Sequence, residues 1–312
     1  MAAIQAFGAY LPSRVVTNGE LASRLDCEAD WILDVSGIEE RRYAEGEESV
    51  ASMGVAAARE CLDHAGLKAS EVGMILVSSG SSERRFPGPA SAIAHSLNAG
   101  EIPAAIPAID LPIASAGSLF GMAMAAHLSA VHGNVLVIAS EKMSPIATRE
   151  PLERGIAPLF GDGAGACLIG SGGPVSIIDS VLHSDGAFAD DLRLELDGPL
   201  AMNGRSVILQ ASRKIPGAIG ELLNKNGRTA RSVKVFLMHQ ANQNLMDRVA
   251  RALDVEAARF YSNIRTYGNT SSASMLIAAA EWWRNAEHHV DDLICFAAFG
   301  AGFHWGALLA QS

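Results

Sequence analysis

An α/β fold made of two similar halves is what this sequence predicts, and three observations lead there. Apolar runs of strand length alternate with segments of helix length, the pattern of sheets covered on both faces. The series then recurs at an offset of about 160 residues, as it does in duplicated chains. The 312 residues are 49% hydrophobic and 19% charged, enough to bury a large core without disulfide or metal staples.

The elements follow in order. Residues 72–78 (VGMILVS) read as a buried strand, and 87–97 as a helix with Pro near its start. Residues 105–111 form a second strand. Residues 116–131, rich in Ala, Met and Leu, form a helix whose small side chains suit close packing inside a large core. Residues 134–140 (NVLVIAS) are a third strand, and 159–170 (LFGDGAGACLIG) a Gly-rich turn and closing strand. The series then repeats. Residues 233–238 match 72–78, 242–253 are the next helix, and 271–283 echo the helix after residue 115. Residues 293–298 echo NVLVIAS, and 302–310 echo the GDGAGACLIG strand. Gly-Gly-Pro at 172–174 is a reasonable seam. The expected units are therefore 1–171 and 172–312. Two unrelated α/β units are the plainer alternative.

Lys plus Arg number 24 against 34 Asp plus Glu, a net charge of −10 with no basic run. Nothing here offers duplex nucleic acid an electrostatic footprint. No stretch reaches the roughly 18 uncharged apolar residues of a membrane span. The start, MAAIQAF, lacks the basic region and apolar core of a signal peptide. A cytoplasmic protein that binds neither nucleic acid nor membrane is expected. Cys27, Cys61, Cys167 and Cys295 lie far apart without a CxxC pair, so free thiols are expected, the last three as small core residues. No metal and no bound cofactor is expected. Gly161-Asp162-Gly163-Ala164-Gly165 precedes a strand rather than opening a helix, so it fails as a dinucleotide loop. His288-His289 has no partner at metal spacing and is expected at an exposed helix end.

Three polar residues stand at ends of apolar elements. Ser115 lies between a strand and a helix, where free N–H groups and the positive helix end favour a nucleophile and its oxyanion. A plain helix cap is the alternative. His239 follows directly on a strand, where open α/β folds place their sites; a His satisfied by backbone is the alternative. Asn269 precedes the second-half helix, near the counterpart of Ser115, so duplication would bring the two together; otherwise it is an ordinary cap. Residues 299–303 (FGAGF) form a turn between strands whose small residues let N–H groups approach a ligand, or a tight hairpin.

Together these motifs resemble the β-ketoacyl-acyl-carrier-protein synthase III family of thiolase-fold condensing enzymes. The resemblance rests on Asp30-Trp31-Ile32, Ser36-Gly37-Ile38-Glu39-Glu40-Arg41-Arg42, residues 160–166 (FGDGAGA), His239-Gln240-Ala241-Asn242, Gly268-Asn269-Thr270-Ser271 and residues 299–306 (FGAGFHWG). It covers almost the whole chain, and the motifs fall in family order. It implies a thiolase-like five-layer αβαβα fold from two duplicated halves, and a homodimer. It also implies a Cys–His–Asn site at the foot of a pantetheine tunnel, fed by acyl-CoA and a malonyl thioester. Carried over by motif, His239 and Asn269 match that site. Backbone N–H groups of Ser115 and Ala301 would form the oxyanion hole. Phe86 and Phe299 would bound the acyl pocket, Phe86 by reaching into the partner subunit. Trp31 and Arg154 would contact the CoA nucleotide.

Three positions depart from the family pattern. The nucleophile position, Cys in the family, is Ser115. A thiol is partly ionised near neutral pH and a hydroxyl is not, so Ser115 needs a base, and His239 is the candidate in the motif set. Val35 stands at a position usually basic in the family, and Asn244 where an Arg commonly grips the carrier protein or CoA phosphates; Arg248 and Arg251 remain on that helix. The function implied is an acyltransferase that takes an acyl thioester, from acyl-CoA or an acyl-carrier protein, through Ser115 to a malonyl-type carbanion, hydroxyl or amine. Two alternatives stay open: a non-catalytic partner subunit of a heterodimeric synthase, and a Cys-to-Ser trapping variant of an ordinary synthase.

Overall fold

The computed structural model describes residues 1–98, 105–196, 198–285 and 290–312. Its strands in chain order are β1 (Ala3–Tyr10), β2 (Arg14–Thr17), β3 (Glu40–Tyr43), β4 (Val72–Ser78), β5 (Ala108–Leu111), β6 (Asn134–Lys142), β7 (Asp162–Gly170), β8 (Val175–Ser184), β9 (Leu192–Leu194), β10 (Leu200–Met202), β11 (Val233–Met238), β12 (Leu293–Gly300) and β13 (His304–Gln311). Nine of them share one sheet, ordered β11-β12-β13-β8-β1-β7-β6-β4-β5. Outward from β1 the order is β7, β6, β4, β5; outward from β8 it is β13, β12, β11. The pairs β6–β7 and β12–β13 are antiparallel, and β4–β6 and β11–β12 are parallel. A parallel bridge from Phe236 to Phe260 stands where β5 stands in the first run. The two runs meet at β1–β8 through Ala3↔Ser176 and Ile4↔Val175.

Alternation along these strands sets the layers. In β4, Met74 and Leu76 face one way and Ile75 and Val77 the other. The second set packs under helices Val50–Ala65 and Pro89–Leu97. In β12, Ile294, Phe296 and Ala298 share the inner cluster, whereas Cys295, Ala297 and Phe299 pack under helices Gly204–Lys225 and Gln243–Ala252. Between the two runs lie helices Gly117–His132 and Ser274–Asn285, buried against both. The result is five layers, αβαβα. Small residues such as Gly121, Ala123, Ala125, Ala278 and Ala279 let the central helices fit between two sheet surfaces.

Several boundaries differ from the sequence reading. The first helix of the series starts at Pro89, not residue 87, because the Asp110 carboxylate accepts the Ala90 N–H (2.9 Å) and fixes the entry. The second central helix starts at Ser274, after a 3₁₀ turn over Ser271–Ala273. Helix Gly204–Lys225 lies between the two recurring series and was not assigned from the sequence; it carries Pro216, Gly217 and Gly220, residues that disfavour a helix interior. Burial of Ile215, Ala218, Ile219, Leu222 and Leu223 outweighs those penalties. Cys61, Cys167 and Cys295 are buried free thiols, and burial pushes their ionisation up, that of Cys295 to about 12. His288-His289 lies outside the described residues. Among the described residues no helix is long and apolar enough to cross a membrane.

Candidate active site

Ser115 stands two residues before helix Gly117–His132, with φ +62, in the left-handed region that non-glycine residues rarely occupy. Two glycines make that turn possible. At Gly117 a Cβ would come within 1.8 Å of Ser78 Oγ, so only glycine lets the helix start so close to β4. At Gly300 a Cβ would sit 2.2 Å from the Ala114 carbonyl and 2.9 Å from Ser115 Cβ. The end of β12 thus presses directly on the Ser115 turn and brings Ala301 beside it.

His239 leaves β11 with its N–H donated to the Ala297 carbonyl of β12 (2.9 Å). The ring is buried, and Nδ1 lies 2.6 Å from Ser274 Oγ, which also accepts the Gln240 N–H (3.0 Å). Burial pulls the imidazole pKa down to about 4, partly opposed by a hydrogen bond to the Ser271 backbone. His239 is therefore neutral near pH 7.

Asn269 is held by its own backbone: its N–H donates to the Leu159 carbonyl (2.9 Å), and its carbonyl accepts the Gly161 N–H (3.1 Å). Its Oδ1 accepts the Ser271 N–H (2.9 Å). With the carboxamide oxygen occupied, the nitrogen is the atom left to donate to a substrate.

Ser115, His239 and Asn269 line the same cavity, of about 160 Å³, together with Phe299 and Ala301. The remaining wall is mostly apolar: Met143 and Phe160 on one side, the β9–β10 hairpin and the first turns of helix Gly204–Lys225 on another, with Arg193, Asn242 and Ser271 as its polar members. Three distant segments thus converge as the duplication reading requires. The oxyanion assignment needs correcting in one respect. The Ser115 N–H is not free toward the cavity; it donates to Ser271 Oγ (3.2 Å). Ser271 and Ser274 were missed as site residues, although the run Ser271-Ser272-Ala273-Ser274 directly after Asn269 was a usable signal.

Phe86 is 86% exposed and does not line this cavity. Trp31 and Arg154 lie elsewhere: the guanidinium sits 5.0 Å from the Trp31 ring centre, in a surface recess shared with Asp26, Cys27 and Glu28. The departures at 35 and 244 lie against one another. Asn244 Nδ2 donates to the Asp34 and Val35 carbonyls (3.2 and 3.3 Å), and Asn242 Nδ2 to that of Val35 (2.9 Å). These two side chains satisfy carbonyls at the C-terminal end of helix Ala29–Ser36. Among the described residues no group of three His, Cys, Asp or Glu side chains could hold a metal.

A five-layer fold with Ser, His and Asn converging on one apolar cavity defines a thiolase-like protein. The family profile for 3-oxoacyl-[acyl-carrier-protein] synthase III matches residues 109–186, and that for its C-terminal region residues 223–312. The β-ketoacyl-[acyl-carrier-protein] synthase III of Geobacillus kaustophilus is 35% identical over 98% of this chain and 97% of its own length. The crystal structure of 3-oxoacyl-[acyl-carrier-protein] synthase III from Aquifex aeolicus superposes over both full chains with a TM-score of 0.94 at 32% identity. The priming β-ketosynthase of the R1128 polyketide pathway superposes with a TM-score of 0.92 at 30% identity, covering all of this chain and 96% of the other. This chain belongs to the 3-oxoacyl-[acyl-carrier-protein] synthase III family, a family of transferases.

Proposed function

We propose that this protein takes an acyl group from an acyl thioester onto Ser115 and passes it to a second substrate. The observation that carries this reading is the convergence of Ser115, His239 and Asn269 on one apolar cavity. Ser115 Oγ attacks the thioester carbonyl, the C–S bond breaks, and the hydroxyl proton passes by way of His239 to the leaving sulfur. A ring with a pKa near 4 is a weak base and a sound neutral hydrogen-bond partner. That supports slow acylation together with a firm hold on a second carbonyl, shared with Asn269 Nδ2. The His and Asn favour a malonyl-type carbanion as acceptor; the poorer leaving group of an oxyester favours a hydroxyl or amine. Ala301 N–H supplies the oxyanion donor beside the Ser115 turn. The cavity is about the size that holds one benzene ring, which supports short acyl groups.

The cation–π pair of Trp31 and Arg154 supports the recess around them as the CoA nucleotide site. The exposure of Phe86 supports a homodimer in which it enters the partner's acyl pocket. The matching strand order outward from β1 and β8 supports duplicated halves at 1–171 and 172–312. An acyl-carrier protein is a second possible donor, and a cytoplasmic location fits such substrates.

Incubation with acetyl- to decanoyl-CoA, followed by intact-protein mass spectrometry, tests the reading. The expected result is a mass gain of one acyl group mapped to Ser115, release of free CoA, and neither in Ser115→Ala. No adduct and no CoA release at any chain length overturns it. The engaged Ser115 N–H favours one other reading, a silent subunit. Release of CoA solely in the presence of a companion synthase subunit would point there.

A further inference from the structure

Ser271 touches two groups of the site through two different atoms. Its N–H donates to Asn269 Oδ1 (2.9 Å), and its hydroxyl oxygen accepts the Ser115 N–H (3.2 Å). It is buried, lines the cavity, and has φ +47. A left-handed serine persists where its surroundings over-determine it. They do so here. The next residue, Ser272, donates both its N–H (3.2 Å) and its hydroxyl (2.5 Å) to Glu141 Oε1. Glu141 is fully buried and also accepts the Gly80 N–H and the Ser81 hydroxyl. Gly80 in turn packs on Ala114, beside the nucleophile, where an added Cβ would lie 2.7 Å from that of Ala114. The turn that carries Ser271 and the turn that carries Ser115 are therefore braced against one carboxylate.

We propose that Ser271 is a positioning residue for acylation. Its hydroxyl holds the Ser115 backbone in the strained geometry that presents the nucleophile, and its N–H turns the Asn269 carboxamide so that nitrogen faces the substrate. This inference rests on the acyl-transfer reading above. The hydroxyl arm can be isolated, because Ser271→Ala removes Oγ and leaves the N–H on Asn269. Glycine adopts φ +47 without strain, so Ser271→Gly serves if the Ala variant does not fold.

The experiment is single-turnover acylation by acetyl- to decanoyl-CoA, followed by intact-protein mass spectrometry at several acyl-CoA concentrations, alongside a melting curve. The expected result is a fall of about tenfold to a hundredfold in the limiting acylation rate. The half-saturating acyl-CoA concentration and the melting temperature stay at their wild-type values. A purely structural role would move the melting temperature, and a binding role the half-saturating concentration; either pattern without a fall in the limiting rate overturns the proposal. A wild type that acylates and variants that acylate equally fast or faster overturn it while leaving the acyl-transfer reading standing. A wild type that does not acylate overturns both.

Discussion

The turns at Ser115 and Ser271 occupy the same place in the two halves, each just before a central helix and each with positive φ. They are built differently. The Ser115 turn is closed by backbone bonds, Ile113 N–H to the Leu111 carbonyl (2.8 Å) and Ala116 N–H to the Ala114 carbonyl (2.7 Å), and by packing on Gly80 and Gly300. The Ser271 turn is tied by side chains, Asn269 Oδ1 on one side and Glu141 on the other. The first thus leaves a side chain for chemistry, while the second spends its polar groups on geometry. Their direct contact, Ser115 N–H to Ser271 Oγ, makes the rigid turn the reference for the reactive one.

The sharpest way to break this contrast is at Ser115, the proposed nucleophile. Ser115→Ala is expected to lose the acyl adduct completely. Ser115→Cys is expected to raise malonyl-dependent turnover at least about tenfold, because a thiol ionises near neutral pH and leaves more readily. Equal turnover by the Ser and Cys forms would show that chemistry at this position does not limit the rate.

The rigid turn should fail through stability. Glu141→Ala strands several buried donors, and a loss of about 3–5 kcal/mol is expected in denaturant unfolding. A loss below about 1 kcal/mol would mean that the brace is not rigid. At His239 the expectation is a pH effect. In the unfolded chain the imidazole takes a proton near 6.5; in the folded chain burial delays this to about 4. Between those values the unfolded chain binds the extra proton. Stability therefore falls as pH drops from about 6.5 to 4, by up to about 3 kcal/mol, and is restored above 6.5. His239→Gln should flatten that slope relative to wild type, as read by unfolding at stepped pH. The smallest effect is expected at Phe86, where Phe86→Ala should lengthen the preferred acyl chain with little change in rate. Unchanged selectivity would place that ring outside the partner's pocket.

Much of the candidate site was legible because its polar residues sit at ends of strongly patterned elements. The runs at 72–78 and 233–238 became strands with those limits, and the residues after such elements, Ser115 and His239, meet in the cavity. The helix that was missed lay outside the two recurring series. Helix Gly204–Lys225, which supplies cavity wall, was not assigned, although Ala211, Ile215, Ala218, Ile219 and Leu222 recur at helical spacing; Pro216, Gly217 and Gly220 interrupt that pattern locally, and burial offsets them. Ser271 looked like a residue in a polar run, since nothing local shows which of three serines meets a backbone donor 156 positions away.

Sequence by itself determined the alternation of elements, their recurrence and the identities of the polar residues at their ends, because apolar periodicity and turn residues are local properties. Tertiary structure alone decided that the Ser115 N–H is engaged, that the His239 ring is neutral and that Asn269 offers nitrogen rather than oxygen. Each of those depends on which atom from a distant segment lies within hydrogen-bonding distance, and on how much water the packed layers exclude.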